Sequence, residues 1–367
     1  MTFIPNIEEF KELADDYNVI AVRSEFTTDA ETPLSAYAKL SASKPAFLFE
    51  SVVGGEQVSR YSFVGSSPYK TISSDSNITK ITDYKGEVKS KPTPNDPLKL
   101  VEDELSGIRY HGLDEHRFSG GAVGFIGYEY ANRIERTVPL PEKNELETPL
   151  LFFMLTEVLL IFDHARQTLT VCTNARIDGE VNNAYYRACE KIEQTRDILS
   201  QPSSLKPTPL LDPDPVDLKS GNFSKTEFKK IVEQAKEFVR SGDVIQTVLS
   251  QRFAIPFKHP PINLYRAIRA INPSPYMFLM EGDDFAIVGA SPEVHVRLIG
   301  DEVLIRPIAG TRPRGRDKNE DSRLAEELLA DEKEKAEHLM LVDLARNDIG
   351  RVCKPGSVRA AEYMTIE

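Results

Sequence analysis

The chain has 367 residues, of which 40% are hydrophobic and 28% charged, and its formal net charge is −12 at pH 7. This length predicts two or three core-forming units and excludes a single small module. The acidic balance argues against binding to nucleic acid or to an anionic membrane, because a surface dense in phosphate would be repelled.

The cysteine content and the longest apolar run indicate a cytoplasmic protein. Three widely spaced cysteines without a CxxC pattern predict neither a disulfide framework nor a zinc cluster. The apolar run 150–162 is interrupted by Thr156 and Glu157 and is shorter than the roughly 20 residues of a membrane helix. We expect it to be a buried strand, and no secretory signal precedes it.

The first 200 residues are rich in predicted strands. Strand-like segments cover 46–51, 60–65, 120–127 and 150–162, and helical spacing occurs over 7–17 and 183–199. The glycines of 120–127 alternate with apolar residues but match neither GxGxxG nor GxxxxGK[ST]. We interpret that segment as a buried strand whose glycines let a neighbouring backbone come close, and not as a phosphate loop.

A proline-rich segment divides the chain. Five prolines between residues 202 and 215 are incompatible with a continuous helix or a central strand. We therefore predict a linker over 201–221, with one domain at 1–200 and another at 222–367. After the linker, Ser224 and Glu227 have the spacing of a capping box for a helix that ends at Gly242.

The second half combines strands with a long charged helical stretch. Predicted strands cover 244–257, 276–280, 285–288, 294–299 and 303–305, and the helical stretch covers 321–347. Because strands and helices come in blocks, the sequence favours an α+β fold over a doubly wound α/β sheet.

Glu334 and Glu337 are three residues apart within the charged helical stretch. On a helix this spacing places both carboxylates on one face, where they could hold Mg²⁺. Spacing alone favours a solvated helix of Glu and Lys. The apolar residues that follow, 339–344, suggest instead that this end of the helix enters the core.

The segment 306–316 carries four arginines beside Gly310 and Thr311 in an otherwise acidic protein. Backbone N–H groups near a glycine, a threonine hydroxyl and arginines could together bind a carboxylate. An exposed basic loop that balances the acidic helix is an equal alternative.

Ordered segments along nearly the whole chain resemble anthranilate synthase component I, the large, chorismate-using subunit. They are LFES (48–51), RYSF (60–63), GGAVGFIGYEY (120–130), GDVIQTVLSQRF (242–253), NPSPYMF (272–278), GASPE (289–293), PIAGTRPRG (307–315) and AEHLMLVDLARNDIGR (336–351). The resemblance implies a β-sandwich of large, mostly antiparallel sheets with helices packed outside. It also implies that 222–367 is the first part of the chorismate-binding catalytic domain.

Two positions separate the reactions known in this family. Water-adding isochorismate and salicylate synthases carry a lysine at the position of Gln246, and aminodeoxychorismate synthases typically carry one at Ala309. Glutamine is not a general base and alanine has no nucleophile, so the resemblance favours anthranilate synthase, with ammonia as the attacking group.

The resemblance also implies the components of the reaction. Glu334 and Glu337 would hold Mg²⁺, and Gly310 and Thr311 would contact a carboxylate of chorismate. Ammonia would come from a glutamine amidotransferase subunit, anthranilate synthase component II. The products would be anthranilate and pyruvate, in the first step of tryptophan biosynthesis.

A feedback site for tryptophan is the last implication of the resemblance. In this family the segments corresponding to 48–51 and 272–278 form an allosteric tryptophan pocket. Carried over residue by residue, the candidates are Glu50, Ser51, Asn272, Pro273 and Met277, with Phe49 in place of the usual leucine.

Family members continue past the position of Glu367, with further catalytic and magnesium-binding residues. We therefore expect a chain truncated at its C-terminus, with incomplete sheets. A non-catalytic homologue that binds tryptophan or the amidotransferase is the alternative, and aminodeoxychorismate or salicylate synthesis is a third possibility.

Overall fold

The computed structural model describes residues 1–52, 60–113, 118–141, 144–207 and 221–366. The strands in this part of the chain are β1 (Val19–Thr27), β2 (Ala46–Glu50), β3 (Tyr61–Ser66), β4 (Lys70–Ser74), β5 (Ile78–Asp83), β6 (Val88–Pro92), β7 (Tyr110–His111), β8 (Ala122–Ile126), β9 (Leu151–Leu155), β10 (Val158–Asp163), β11 (Thr168–Arg176), β12 (Tyr276–Glu281), β13 (Ala286–Ser291), β14 (Arg297–Ile299) and β15 (Glu302–Leu304). The helices are α1 (Ile7–Leu13), α2 (Pro33–Leu40), α3 (Leu98–Ser106), α4 (Ala131–Ile134), α5 (Val181–Leu199), α6 (Lys225–Ser241), α7 (Pro261–Ile271), α8 (Lys318–Ala330) and α9 (Glu332–Gly350).

Two antiparallel sheets form most of the structure. The eight-stranded sheet has the order β13-β12-β2-β3-β10-β11-β1-β7, and only the short β1–β7 pairing in it is parallel. The five-stranded sheet has the order β6-β5-β4-β9-β8, and β14 pairs with β15 separately. Helices pack outside the strands, with α2 on β2 and β3 and α5 on β11 and β1. The predicted α+β class is confirmed.

The two sheets share one core. Phe47 and Met280 from the eight-stranded sheet cluster with Phe152 and Met154 from the five-stranded sheet. Gly124 on β8 lies against β9, where an added Cβ would stand 1.9 Å from the carbonyl oxygen of Phe152. This confirms the interpretation of 120–127 as a strand in close backbone contact, since any side chain at residue 124 would clash.

The chain passes from one sheet to the other at Thr156. Its N–H donates to the Gly121 carbonyl at 2.8 Å, and its hydroxyl accepts from the Gly121 N–H at 3.0 Å. The prediction of one strand over 150–162 is therefore wrong: β9 and β10 belong to different sheets. The polar interruption at 156–157 marks the crossover, because these hydrogen bonds hold the chain where it leaves the first ladder.

Residues 1–204 and 264–367 form one compact unit, and 205–263 form a second. This grouping differs from the predicted division into 1–200 and 222–367, because β12 and β13 extend the sheet of the first 200 residues beside β2. Most of the predicted linker, 208–220, lies outside the described residues.

The second unit contains α6, and its predicted caps are confirmed. Glu227 accepts a hydrogen bond from the Ser224 N–H at 2.8 Å, Ser224 accepts one from the Glu227 N–H at 3.3 Å, and Gly242 has φ of 83°. The strand predicted over 244–257 is wrong: these residues form no described strand, and Val248 is 88% exposed. β propensity alone does not form a strand, because a strand also needs a partner for its backbone hydrogen bonds.

The stretch 321–347 is two helices instead of one. Asp331 ends α8 and caps α9, accepting hydrogen bonds from the N–H groups of Lys333 at 3.0 Å and Glu334 at 3.3 Å. No residue of α9 is buried, and Leu344 is 55% exposed, so the expectation that this helix enters the core is wrong. Within the described residues, no helix is long and apolar enough to cross a membrane.

Candidate functional site

Gly310 and Glu334 meet beside the first turns of α9. Gly310 has φ of +72°, and an added Cβ there would lie 3.0 Å from Oε2 of Glu334. The structure thus brings together two of the residues predicted to act on substrate and metal. Glycine suits this position for two reasons, since it tolerates positive φ and leaves room for the carboxylate.

Arg312 links the arginine-rich segment to α8 and α9. Its guanidinium donates to Oε1 of Glu327 at 3.2 Å and to Oδ2 of Asp331 at 2.8 Å, and Nη1 lies 3.6 Å from Oε1 of Glu334. These contacts, led by the hydrogen bond to Glu327, raise the pKa of Arg312. Arg312 therefore stays cationic and partly neutralises the acidic surroundings of Glu334.

The other three arginines of 306–316 also pair with carboxylates. The pairs are Arg306 with Glu362, Arg314 with Asp321 and Arg316 with Glu320. This pattern favours the alternative of an exposed basic loop that balances acidic residues over an anion-binding site formed by the arginines.

The two predicted metal ligands lie on one face of α9. Glu334 and Glu337 are both half-buried and one helical turn apart. Across the described residues, no group of three or more histidine, cysteine, aspartate or glutamate side chains could hold a metal ion. Two carboxylates nevertheless suit Mg²⁺, which usually keeps several waters and takes one or two protein carboxylates.

Glu293 joins two of the sequence segments near this site, and the sequence reasoning missed it. Its Oε1 accepts a hydrogen bond from the Ile308 N–H at 3.0 Å, and its carbonyl accepts one from the Ser291 hydroxyl at 3.0 Å. Glu293 therefore fixes the chain two residues before Gly310. Its position at the end of the GASPE segment, which resembles the family, could have marked Glu293 as a candidate residue.

Thr311 and Gln246 are both exposed. Thr311 follows Gly310 directly in the chain. Gln246 belongs to the second unit, where it lies in an irregular segment after α6.

The predicted tryptophan-site residues come together where β2 and β12 pair. Met277 is the direct neighbour of Glu50 in the ladder, and the Val52 N–H donates to the Ser274 carbonyl at 3.2 Å. Ser51 therefore lies beside the 272–275 loop that contains Asn272 and Pro273. Segments more than 220 residues apart in the chain thus meet at one end of the β2–β12 pair.

Glu50 is buried and held by α7. Its Oε2 accepts hydrogen bonds from the Tyr265 hydroxyl at 2.7 Å and from Nε of Arg269 at 3.1 Å. Burial, reinforced by the Glu50 carboxylate, raises the pKa of Tyr265. The sequence reasoning missed both partners because it did not predict α7, although Leu264, Ile268 and Ile271 have helical spacing.

Two further polar groups lie around this cluster. Nε2 of His164 is 2.7 Å from the Ser62 hydroxyl, and burial lowers the pKa of His164 while nearby Glu50 partly opposes that effect. Oγ of Ser51 is buried and has no hydrogen-bond partner among the described residues. Such an unpaired buried hydroxyl is uncommon and indicates a group that a ligand could satisfy.

Comparison with known proteins gives a consistent result. Residues 44–367 match the family model of chorismate binding enzymes. The chain is 40% identical over 370 residues to anthranilate synthase component 1 of Acetivibrio thermocellus and 43% identical over 370 residues to that of Aquifex aeolicus. These alignments cover 100% and 99% of this chain and 74% and 73% of the relatives.

Solved structures show the same relationship. Anthranilate synthase component I of Streptococcus pneumoniae superposes with a TM-score of 0.68 at 32% identity, covering 84% of this chain and 65% of that one. The menaquinone-specific isochorismate synthase of Escherichia coli, at 17% identity and a TM-score of 0.53, shares the fold.

Proposed function

This chain belongs to the family of chorismate binding enzymes, and we propose that it is the chorismate-using component of an anthranilate synthase. In the proposed reaction chorismate and ammonia give anthranilate, pyruvate and water. The observation that carries the proposal is the identity of about 40% with anthranilate synthase component 1 over the whole chain. The closeness of Gly310 to the Glu334 carboxylate supports a substrate site at the start of α9.

Glu334 and Glu337 are the proposed magnesium ligands. Their spacing on α9 and their partial burial suit a cation that completes its shell with water and substrate oxygens. When bound, Mg²⁺ would neutralise a chorismate carboxylate and withdraw electron density from the ring. An acidic protein needs such local positive charge to bind a dianionic substrate.

Gly310 and Thr311 are the proposed contacts of a substrate carboxylate. The positive φ of Gly310 and the exposed hydroxyl of Thr311 leave polar groups available to a ligand there. Arg312 supports the site electrostatically, because its guanidinium lies near Glu334 while it hydrogen-bonds Glu327 and Asp331.

Gln246 determines the proposed nucleophile. A neutral amide cannot remove a proton from water, so the attacking group must already be nucleophilic, as ammonia is. Ala309 offers no side chain that could attack the ring covalently. These two residues favour anthranilate over salicylate or an aminodeoxychorismate as the product.

The ammonia would come from a separate glutamine amidotransferase subunit in the cytoplasm. Glutamine hydrolysis of that kind needs an activated thiol. Cys172 and Cys189 are buried, and burial raises the pKa of both thiols. Neither has the properties of an exposed nucleophile. The half-exposed Cys353 belongs to no Cys-His glutaminase pattern in the sequence, which supports a partner as the source of ammonia.

Tryptophan is the proposed feedback inhibitor, bound by Glu50, Ser51, Asn272, Pro273 and Met277. Three features support this site: the pairing of Glu50 with Met277, the closeness of the 272–275 loop and the buried hydroxyl of Ser51. A carboxylate can bind the amino group of tryptophan, and a methionine can pack against the indole ring.

Product identification tests the proposed reaction. The purified protein would be incubated with chorismate, Mg²⁺ and ammonium chloride, and the product would be identified by mass spectrometry. We expect anthranilate. Salicylate or 4-amino-4-deoxychorismate would contradict the roles given to Gln246 and Ala309, and unchanged chorismate would favour the non-catalytic alternative.

A further inference from the structure

The ion pair between Glu50 and Arg269 is unequally buried. The Glu50 side chain is 3% exposed, whereas the Arg269 side chain is 42% exposed. The carboxylate is therefore fixed inside the protein, while the guanidinium is free to change position at low cost. Removing one partner from a buried ion pair is strongly destabilising, so Arg269 can leave Glu50 only when a second cation takes its place.

The two oxygens of Glu50 are bonded differently. Oε2 accepts from the Tyr265 hydroxyl at 2.7 Å and from Nε of Arg269 at 3.1 Å. Oε1 accepts from Nη2 of Arg269 at 3.3 Å, and the described residues provide it with no other donor. Charge-assisted hydrogen bonds are usually about 2.7–2.9 Å long, so the contacts of Arg269 are loose. Oε1 can therefore accept a further hydrogen bond while Tyr265 holds Oε2.

An amino acid has the groups that this arrangement lacks. Its ammonium can replace the guanidinium on Glu50, and its carboxylate can then pair with the released guanidinium in a bidentate manner. The Ser51 hydroxyl has no hydrogen-bond partner among the described residues. It adjoins Glu50 in the chain and can hydrogen-bond either group. The exchange leaves no buried charge without a partner.

We propose that Arg269 binds the carboxylate of the amino-acid effector, exchanging its contact with Glu50 for one with the ligand. Glu50 then binds the ligand ammonium, and Tyr265 keeps the Glu50 carboxylate in place throughout. This inference rests on the proposed tryptophan site and adds to it the residue that selects a free amino acid over an amine.

The test compares tryptophan with tryptamine, which lacks the carboxylate, by calorimetry on the purified protein. We expect wild type to bind tryptophan at least about tenfold more tightly than tryptamine. This is the affinity ratio expected from one charge-assisted hydrogen bond to the carboxylate. In Arg269→Met, tryptophan binding should weaken about tenfold. Tryptamine should bind at least as tightly as to wild type, because its ammonium no longer competes with the Arg269 guanidinium for Glu50.

Two further variants complete the design. Arg269→Lys keeps the positive charge but lacks the planar guanidinium, so its preference for tryptophan over tryptamine should be intermediate. This variant keeps the test valid if Arg269→Met is unstable. Arg187→Met removes an exposed arginine that pairs with Asp178 and should leave both affinities unchanged.

The outcomes separate the two proposals. If Arg269→Met weakens both ligands equally, Arg269 only positions Glu50 and the inference is overturned, while the tryptophan site stands. If wild type shows no saturable binding of tryptophan, the effector site itself is overturned and the inference with it.

Discussion

Gly310 lies close to Glu334: a Cβ atom added at residue 310 would stand 3.0 Å from Oε2 of the Glu334 carboxylate. The glycine therefore sets the space available beside a proposed metal ligand. Its φ of +72° adds a second constraint, because other residues are strained there by roughly 1–2 kcal/mol.

Gly310→Ala should lose activity beyond what backbone strain explains. We expect a loss of stability of about 1 kcal/mol and a fall in kcat/KM of about tenfold or more, because the carboxylate must move. Gly356→Ala is the matched control, since Gly356 has φ of +79° but nothing within 4 Å of an added Cβ. Equal activity in the two variants would show that the space left free beside Glu334 has no role.

Glu334→Gln should weaken the response to magnesium. The loss of one carboxylate charge should raise the Mg²⁺ concentration for half-maximal activity on the order of tenfold or more. Glu332→Gln serves as the control, because Glu332 lies at the start of the same helix with its side chain 87% exposed. The assignment of Glu334 fails if both variants keep the wild-type dependence on Mg²⁺.

His164 should make stability fall in mild acid. Burial holds its pKa below the ordinary value of 6.5, so below about pH 6.5 the unfolded chain binds a proton that the folded chain does not. Free energies of unfolding measured with urea at pH 7.5 and pH 5.5 should therefore differ less in His164→Gln than in wild type. The exposed His295, changed to Gln, should leave the difference as it is in wild type.

The three cysteines should react at different rates. Burial raises the pKa of Cys172 to about 12 and also raises that of Cys189, whereas Cys353 is half-exposed. A thiol reagent at pH 8 should modify Cys353 first, at least about 100-fold faster than the other two, because only thiolates react. Guanidinium chloride should release all three, and rapid modification of Cys172 without it would contradict the buried position.

Local features of the fold could be predicted from the sequence. The capping box of Ser224 and Glu227 and the glycine that ends α6 depend only on residues within the helix, so their pattern was sufficient. The glycine-rich segment 120–127 was also predicted correctly, because its alternation with apolar residues is typical of a packed strand.

Features that depend on distant partners could not be predicted in this way. The division of 150–162 into two strands depends on which sheet each half joins, and the irregular course of 244–257 depends on the strands available to pair with it. Sequence reasoning likewise found Glu50 through its family segment but missed Arg269, because the pair forms only when α7 lies beside the end of β2.

The ammonium dependence of anthranilate formation shows whether this chain is the chorismate-using component of an anthranilate synthase. The purified protein would be given chorismate and Mg²⁺, and anthranilate fluorescence would be followed as ammonium chloride is added at pH 8.5, where free ammonia is abundant. We expect a rate that rises with ammonia to saturation in wild type and is strongly reduced in Glu334→Gln. Anthranilate absent at every ammonia concentration, or an equal rate in both proteins, would contradict it.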